Sequence, residues 1–76
     1  MPSLPVVKRE QLVRGLERAG FKLVREKSNH VLLRHQDGRV LTVAVAPKEV
    51  VGLGLLNKVM RDSGLTTEQF LNALQE

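Results

Sequence analysis

Residues 30–45 read His30-Val31-Leu32-Leu33-Arg34-His35-Gln36-Asp37-Gly38-Arg39-Val40-Leu41-Thr42-Val43-Ala44-Val45. Two strand-like runs, 30–35 and 39–45, flank an Asp-Gly pair. That pair is a strong hairpin signal, because a type I′ turn needs positive φ at both central residues. The reading predicts Asp37-Gly38 as a two-residue loop that pairs Gln36 with Arg39, His35 with Val40, Arg34 with Leu41 and Leu33 with Thr42. Paired residues share a face, and faces alternate along a strand. One face then holds His30, Leu32, Leu41, Val43 and Val45. The other holds Val31, Leu33, His35, Val40, Thr42 and Ala44. The first is the more aliphatic and is predicted to lie under helices, with His30 at the sheet's end on the margin of the core. On a regular strand His30 and His35 fall on opposite faces, so they cannot act together on one phosphate, nor on one metal ion without a bulge.

Upstream, Leu12, Leu16 and Ala19 recur at i, i+4 and i+7, which predicts an amphipathic helix over 8–19 that turns Gln11, Arg14 and Arg18 to solvent. Gly20 suits the position just past its end. Phe21–Arg25 reads as a first strand and Glu26-Lys27-Ser28-Asn29 as a turn. Downstream, Pro47 ends the third strand, and 48–54 reads as a loop. A second helix from Leu55 or Leu56 to Ser63 carries Leu56, Val59, Met60 and Ser63 inward, with Gly64 as its C-cap. Thr66 and Gln69 have the spacing of a capping box, and Leu65 and Phe70 that of a hydrophobic staple. A short last helix to about Leu74 follows. The order α-β-β-β-α with a trailing helix predicts an α+β domain, a three-stranded antiparallel sheet with its helices packed on one face.

The chain has 76 residues, no cysteine and a formal net charge of +4. That length suits one domain, residues 1–76, with 1–7 as an extended leader containing Pro2 and Pro5. A domain of this size buries only about 60% of the surface of its unfolded chain. Without cysteine there are no disulfides, thiolate zinc sites or cysteine nucleophiles. No apolar run approaches the roughly 20 residues that span a bilayer, and the N-terminus lacks the pattern of a signal peptide. A cytoplasmic location is expected. The charge is uneven: up to Arg39 nine basic residues meet four acidic ones, whereas from Val40 on three meet four. The front half is therefore a candidate surface for a polyanion.

The sequence shows no cluster of His, Asp and Glu with metal-ligand spacing. Gly52-Leu53-Gly54 is too short for a phosphate-binding loop, and Ser28 and Ser63 lack a nucleophile elbow. No cofactor is expected. By its residue type and place alone, His30 reads more readily as a structural histidine at the core margin than as a proton-transfer group.

An ordered set of short motifs adds to this: Gly20-Phe21, Ser28-Asn29-His30, Arg34-His35-Gln36-Asp37-Gly38-Arg39, Thr42-Val43-Ala44-Val45, Leu55-Leu56-Asn57-Lys58-Val59 and Ser63-Gly64-Leu65-Thr66. In order and spacing the set resembles the HicA toxin family. The chain has Ser28-Asn29 where the family has Gly-Ser, Gln36 in place of Pro, and Ala44 and Ala46 in place of a Pro and a second His. The resemblance implies a double-stranded-RNA-binding-like fold. It also implies an mRNA interferase of a toxin–antitoxin stress-response system, neutralised by a HicB-type antitoxin. The family's catalytic histidine falls on His30. The expected chemistry is metal-independent RNA cleavage, with the RNA's own 2′-hydroxyl as nucleophile and His30 as general acid or base. Phosphate contacts are expected from Arg14, Arg18, Lys22, Arg25 and Lys27, with Ser28 and Asn29 in the turn. No Tyr or Trp is present, so base stacking is not the expected grip. The alternative is a module of the same fold that binds RNA without cutting it.

Overall fold

The computed structural model describes residues 6–75; the leader expected over 1–7 lies outside the described residues as far as residue 5. Helix α1 (Arg9–Arg18) leads into strands β1 (Phe21–Glu26), β2 (Val31–His35) and β3 (Val40–Val43), then helices α2 (Leu53–Ser63) and α3 (Thr67–Leu74). The strands form one antiparallel sheet in the order β1-β2-β3. This is the α-β-β-β-α arrangement of the double-stranded-RNA-binding-like fold.

The expected helix stripes form the core. Leu12, Leu16, Leu56, Val59, Ser63 and Phe70 are all buried, with Ala19, Met60 and Leu65 partly buried against them. Helix α3 begins with the expected capping box: Gln69 N–H donates to Thr66 Oγ1 (3.1 Å) and Thr66 N–H to Gln69 Oε1 (3.0 Å). Helix α1 closes its start with Gln11, whose side chain accepts from Lys8 N–H (2.9 Å). Helix α2 starts earlier than expected, with Gly52 as its N-cap and Gly54 inside its first turn. Helix α3 can approach α1 because position 15 is glycine: a Cβ there would lie 2.9 Å from the Ala73 carbonyl oxygen.

The hairpin corrects the expected register. Gly38 N–H donates to the His35 carbonyl (3.0 Å), and His35 N–H to the Arg39 carbonyl (2.8 Å). Gly38 takes φ +98°. The loop is therefore the three residues Gln36-Asp37-Gly38, a turn followed by one left-handed residue, which is the next commonest hairpin after the two-residue kind. Arg34 pairs with Val40, Leu33 with Leu41, Leu32 with Thr42 and Val31 with Val43. A slip of one residue moves every side chain of a strand to the other face. Leu41, Val43 and Val45 are buried as expected, but their partners in the core are Val31 and Leu33, and Leu32 faces away.

The two histidines exchange places accordingly. His35, paired with Phe21, lies on the helix-covered face and packs edge-on to the Phe21 ring at 5.0 Å. It is the histidine at the margin of the core. His30 precedes β2 and is exposed.

Arg39 ties the hairpin to the helices. Its Nε donates to Asp37 Oδ2 (2.8 Å), Nη1 reaches the Ser63 carbonyl, and the guanidinium lies 5.4 Å from the Phe21 centroid. The Arg39 backbone N–H bond, supported by its side chain, holds the Asp37 carboxyl below its ordinary pKa. This contribution is complete above the ordinary carboxylate range and is lost as the pH falls through the lowered value.

Candidate active site

His30 sits where the β1–β2 connection turns back. Lys27 N–H donates to the His30 carbonyl at 2.8 Å, which continues the ladder one step past the Glu26–Val31 pair and leaves Ser28-Asn29 as the tip. Lys27, Ser28, Asn29 and His30 are all exposed. The position follows from polarity: Lys-Ser-Asn-His offers no apolar side chain to bury, whereas Val31 begins a buried strand.

The turn is held from beneath by Arg9, the first residue of α1. Only 5% of Arg9 is exposed. Its Nη1 donates to the carbonyls of Lys27 (3.0 Å), Ser28 (3.1 Å) and Val45 (3.1 Å), and Nη2 to Glu26 Oε2 (3.1 Å). One planar guanidinium thus joins the start of α1, the tip before His30 and the chain leaving β3. Arginine suits this role, because its donors sit in a rigid fork and it never loses its charge. Sequence reasoning counted Arg9 among the surface cations and missed this.

The expected phosphate contacts divide into two groups. Lys22 pairs across the sheet with Arg34, and Arg25 with Leu32. Both lie on the open face, away from the helices. Arg14 and Arg18 lie on α1, in the other layer. Arg14 forms an ion pair with Glu10 one turn away. Arg18 donates from Nε (3.0 Å) and Nη2 (2.6 Å) to the Ala73 carbonyl and so fastens α3. The structure brings Lys22 and Arg25 to the open face of the sheet, with the Lys27-Ser28-Asn29-His30 turn at the end of the same strands. It does not bring Arg14 or Arg18 there.

A cleft of about 390 Å³ lies between α1, the end of β1 and the chain at 47–48, lined by residues including Arg9, Glu10, Arg14, Glu17, Glu26 and Lys48. Its acids balance its bases, so it is no better suited to an anion than to a cation. Among the described residues, no three or more His, Asp or Glu side chains converge as a metal site would require. No helix among the described residues is long and apolar enough to cross a membrane.

An exposed imidazole on a turn, beside lysine and serine and next to an acid-free basic face, is chemically able to exchange a proton with a bound phosphodiester. Comparison with known families matches residues 9–65 to the family described as the HicA toxin of bacterial toxin-antitoxin systems. No curated protein matches the chain.

Proposed function

The chain belongs to the HicA toxin family, and from that membership we propose that it is a metal-independent endoribonuclease acting on mRNA, with His30 as its proton-transfer residue and a HicB-type antitoxin as its inhibitor. Membership makes it a toxin-type domain with an antitoxin partner. The observation that carries the finer reading is the exposed His30, at the position of the family's histidine, on a turn pinned by the buried Arg9.

The chemistry needs only the substrate and side chains. The 2′-hydroxyl oxygen attacks the adjacent phosphorus as the bond to the 5′-oxygen breaks. One proton must leave the 2′-hydroxyl and one must reach the departing 5′-oxygen. His30 performs one of these transfers. Lys27, beside it in the turn, offsets charge on the phosphate. RNA whose scissile nucleotide is 2′-deoxy should therefore not be cut, whereas all-ribose RNA should yield a 2′,3′-cyclic phosphate and a 5′-hydroxyl. Mass spectrometry of the products distinguishes this from 3′-hydroxyl and 5′-phosphate ends, which would contradict the mechanism.

The antitoxin reading follows from the same surface. A partner that blocks the reaction covers His30 or its approach, and the basic residues around it favour an acidic partner. Hydrogen exchange on the mixed pair should show protection at Lys27–Val31. Protection confined to α3 would count against it.

A further inference from the structure

We propose that Lys22, Arg25 and Arg34 form a cationic track on the open face of the sheet that carries the RNA phosphate backbone to the His30 turn. The inference rests on the reading that this chain acts on RNA, and it adds Arg34, which sequence reasoning did not assign.

The first support is the register. Lys22 and Arg25 are three residues apart, so a regular strand would point them to opposite faces. Strand β1 is not regular: Leu23 pairs with Leu33 and Arg25 with Leu32, leaving Val24 as an extra residue. Bulges of this kind re-aim side chains. This one sets Arg25 on the same face as Lys22 and Arg34, opposite the buried Val31 and Leu33.

The second support is how the cations are used. The side chains of Arg9, Arg14, Arg18, Arg39 and Lys58 are each engaged with a protein oxygen. Among the described residues, the side chains of Lys22, Arg25 and Arg34 form no hydrogen bond or ion pair; those of Lys27, Lys48 and Arg61 form none either, but they do not share the open face of the sheet with one another. The cross-strand rows Lys22–Arg34–Val40 and Arg25–Leu32–Thr42 contain no acid. Like charges directly opposite each other destabilise a sheet, yet Lys22 stands directly opposite Arg34. A polyanion turns that repulsion into attraction. Leu32 and the half-exposed Val40 add an apolar floor against which bases can lie.

The third support is position. His30 is four residues before Arg34, about 13 Å along an extended chain. A strand held on the track reaches the turn without crossing to the helix layer.

The test measures binding apart from cleavage. His30→Ala protein is titrated with a fluorescent single-stranded RNA over a salt series, with anisotropy as the readout. Each phosphate contact contributes about 0.7 to the slope of log affinity against log salt on a single strand. Added to this background, Arg34→Gln should lower the slope by about 0.7, and Lys22→Gln/Arg25→Gln/Arg34→Gln together by about 2. Lys58→Gln, on α2, should leave it unchanged. Thermal unfolding of the variants should match or exceed that of the background protein, since a like-charge pair is relieved.

An unchanged slope in a folded triple variant overturns the track, even if the parent chain cuts RNA and the ribonuclease reading stands. A parent that binds RNA through these residues but leaves it intact overturns the ribonuclease reading and supports the track. A triple variant that keeps its RNA slope but no longer binds an antitoxin assigns the face to the protein partner and overturns the track.

Discussion

Arg9→Ala is expected to melt on the order of 10–30 °C below the parent chain. Arg9 is 5% exposed and donates to three carbonyls, of which that of Val45 is the most deeply buried. Leaving a buried acceptor without a partner costs about 1–3 kcal/mol, because neither protein nor water replaces the lost bond. The Lys27 and Ser28 carbonyls are only part-buried and regain some water. The Glu26 carboxylate is more than half exposed, so its ion pair contributes little. The sum is about 2–4 kcal/mol, against a total of about 4–11 kcal/mol for a domain of this length. About 4–8 °C of melting temperature accompanies each kcal/mol in a small domain, which gives the stated drop. Arg9→Lys should recover less than half of it, since one ammonium cannot span carbonyls that a guanidinium fork joins. Circular dichroism during heating measures this. Arg14→Ala, which removes an exposed pair one turn apart, should shift the midpoint by only a degree or two. If Arg9→Ala melts with Arg14→Ala, the pin is not structural.

The contrast between those two arginines shows what the sequence could and could not convey. Arg14 lies opposite a helical stripe, and its exposure follows from periodicity. Arg9 lies in the same helix and the same basic half, but its partners are 17 to 36 positions away. No local pattern signals such a contact. Arg18 is similar, since its acceptor, the Ala73 carbonyl, is 55 positions away.

The element order, the helix stripes, the Thr66 capping box and the Gly64 C-cap were legible because each is a local pattern with a local cause. The hairpin was legible as a hairpin but not in its loop length. Asp-Gly serves a two-residue loop and a three-residue loop equally well, since both need a left-handed glycine. The hydrophobic pattern could not break the tie, because Val31, Leu32 and Leu33 are consecutive apolar residues. The Val24 bulge carries no glycine and was invisible for the same reason. Those two irregularities decide which cations share a face, so the extent of the basic surface emerges only from the register. His30 was placed correctly near a sheet end, because turn residues precede it. Its exposure, and the core-margin role of His35, came with the corrected register.

His30→Ala is expected to lose on the order of 10²–10⁴-fold in RNA cleavage, the usual contribution of a positioned acid or base. The side chain is exposed and nothing in the fold leans on it, so stability should change by less than about 0.5 kcal/mol. His35→Ala should behave in the opposite way. It gives up the Phe21 contact and should melt earlier, yet it should cut RNA nearly as the parent does while folded.

The direct measurement is the single-turnover rate on end-labelled RNA, with a chelator present throughout, for the parent, His30→Ala and His35→Ala, each first shown to be folded by circular dichroism. The account predicts that the parent and His35→Ala cut in chelator and that His30→Ala is slower by at least two orders of magnitude. A folded His30→Ala that cuts at the parent rate, or a parent that chelator alone silences, would contradict it.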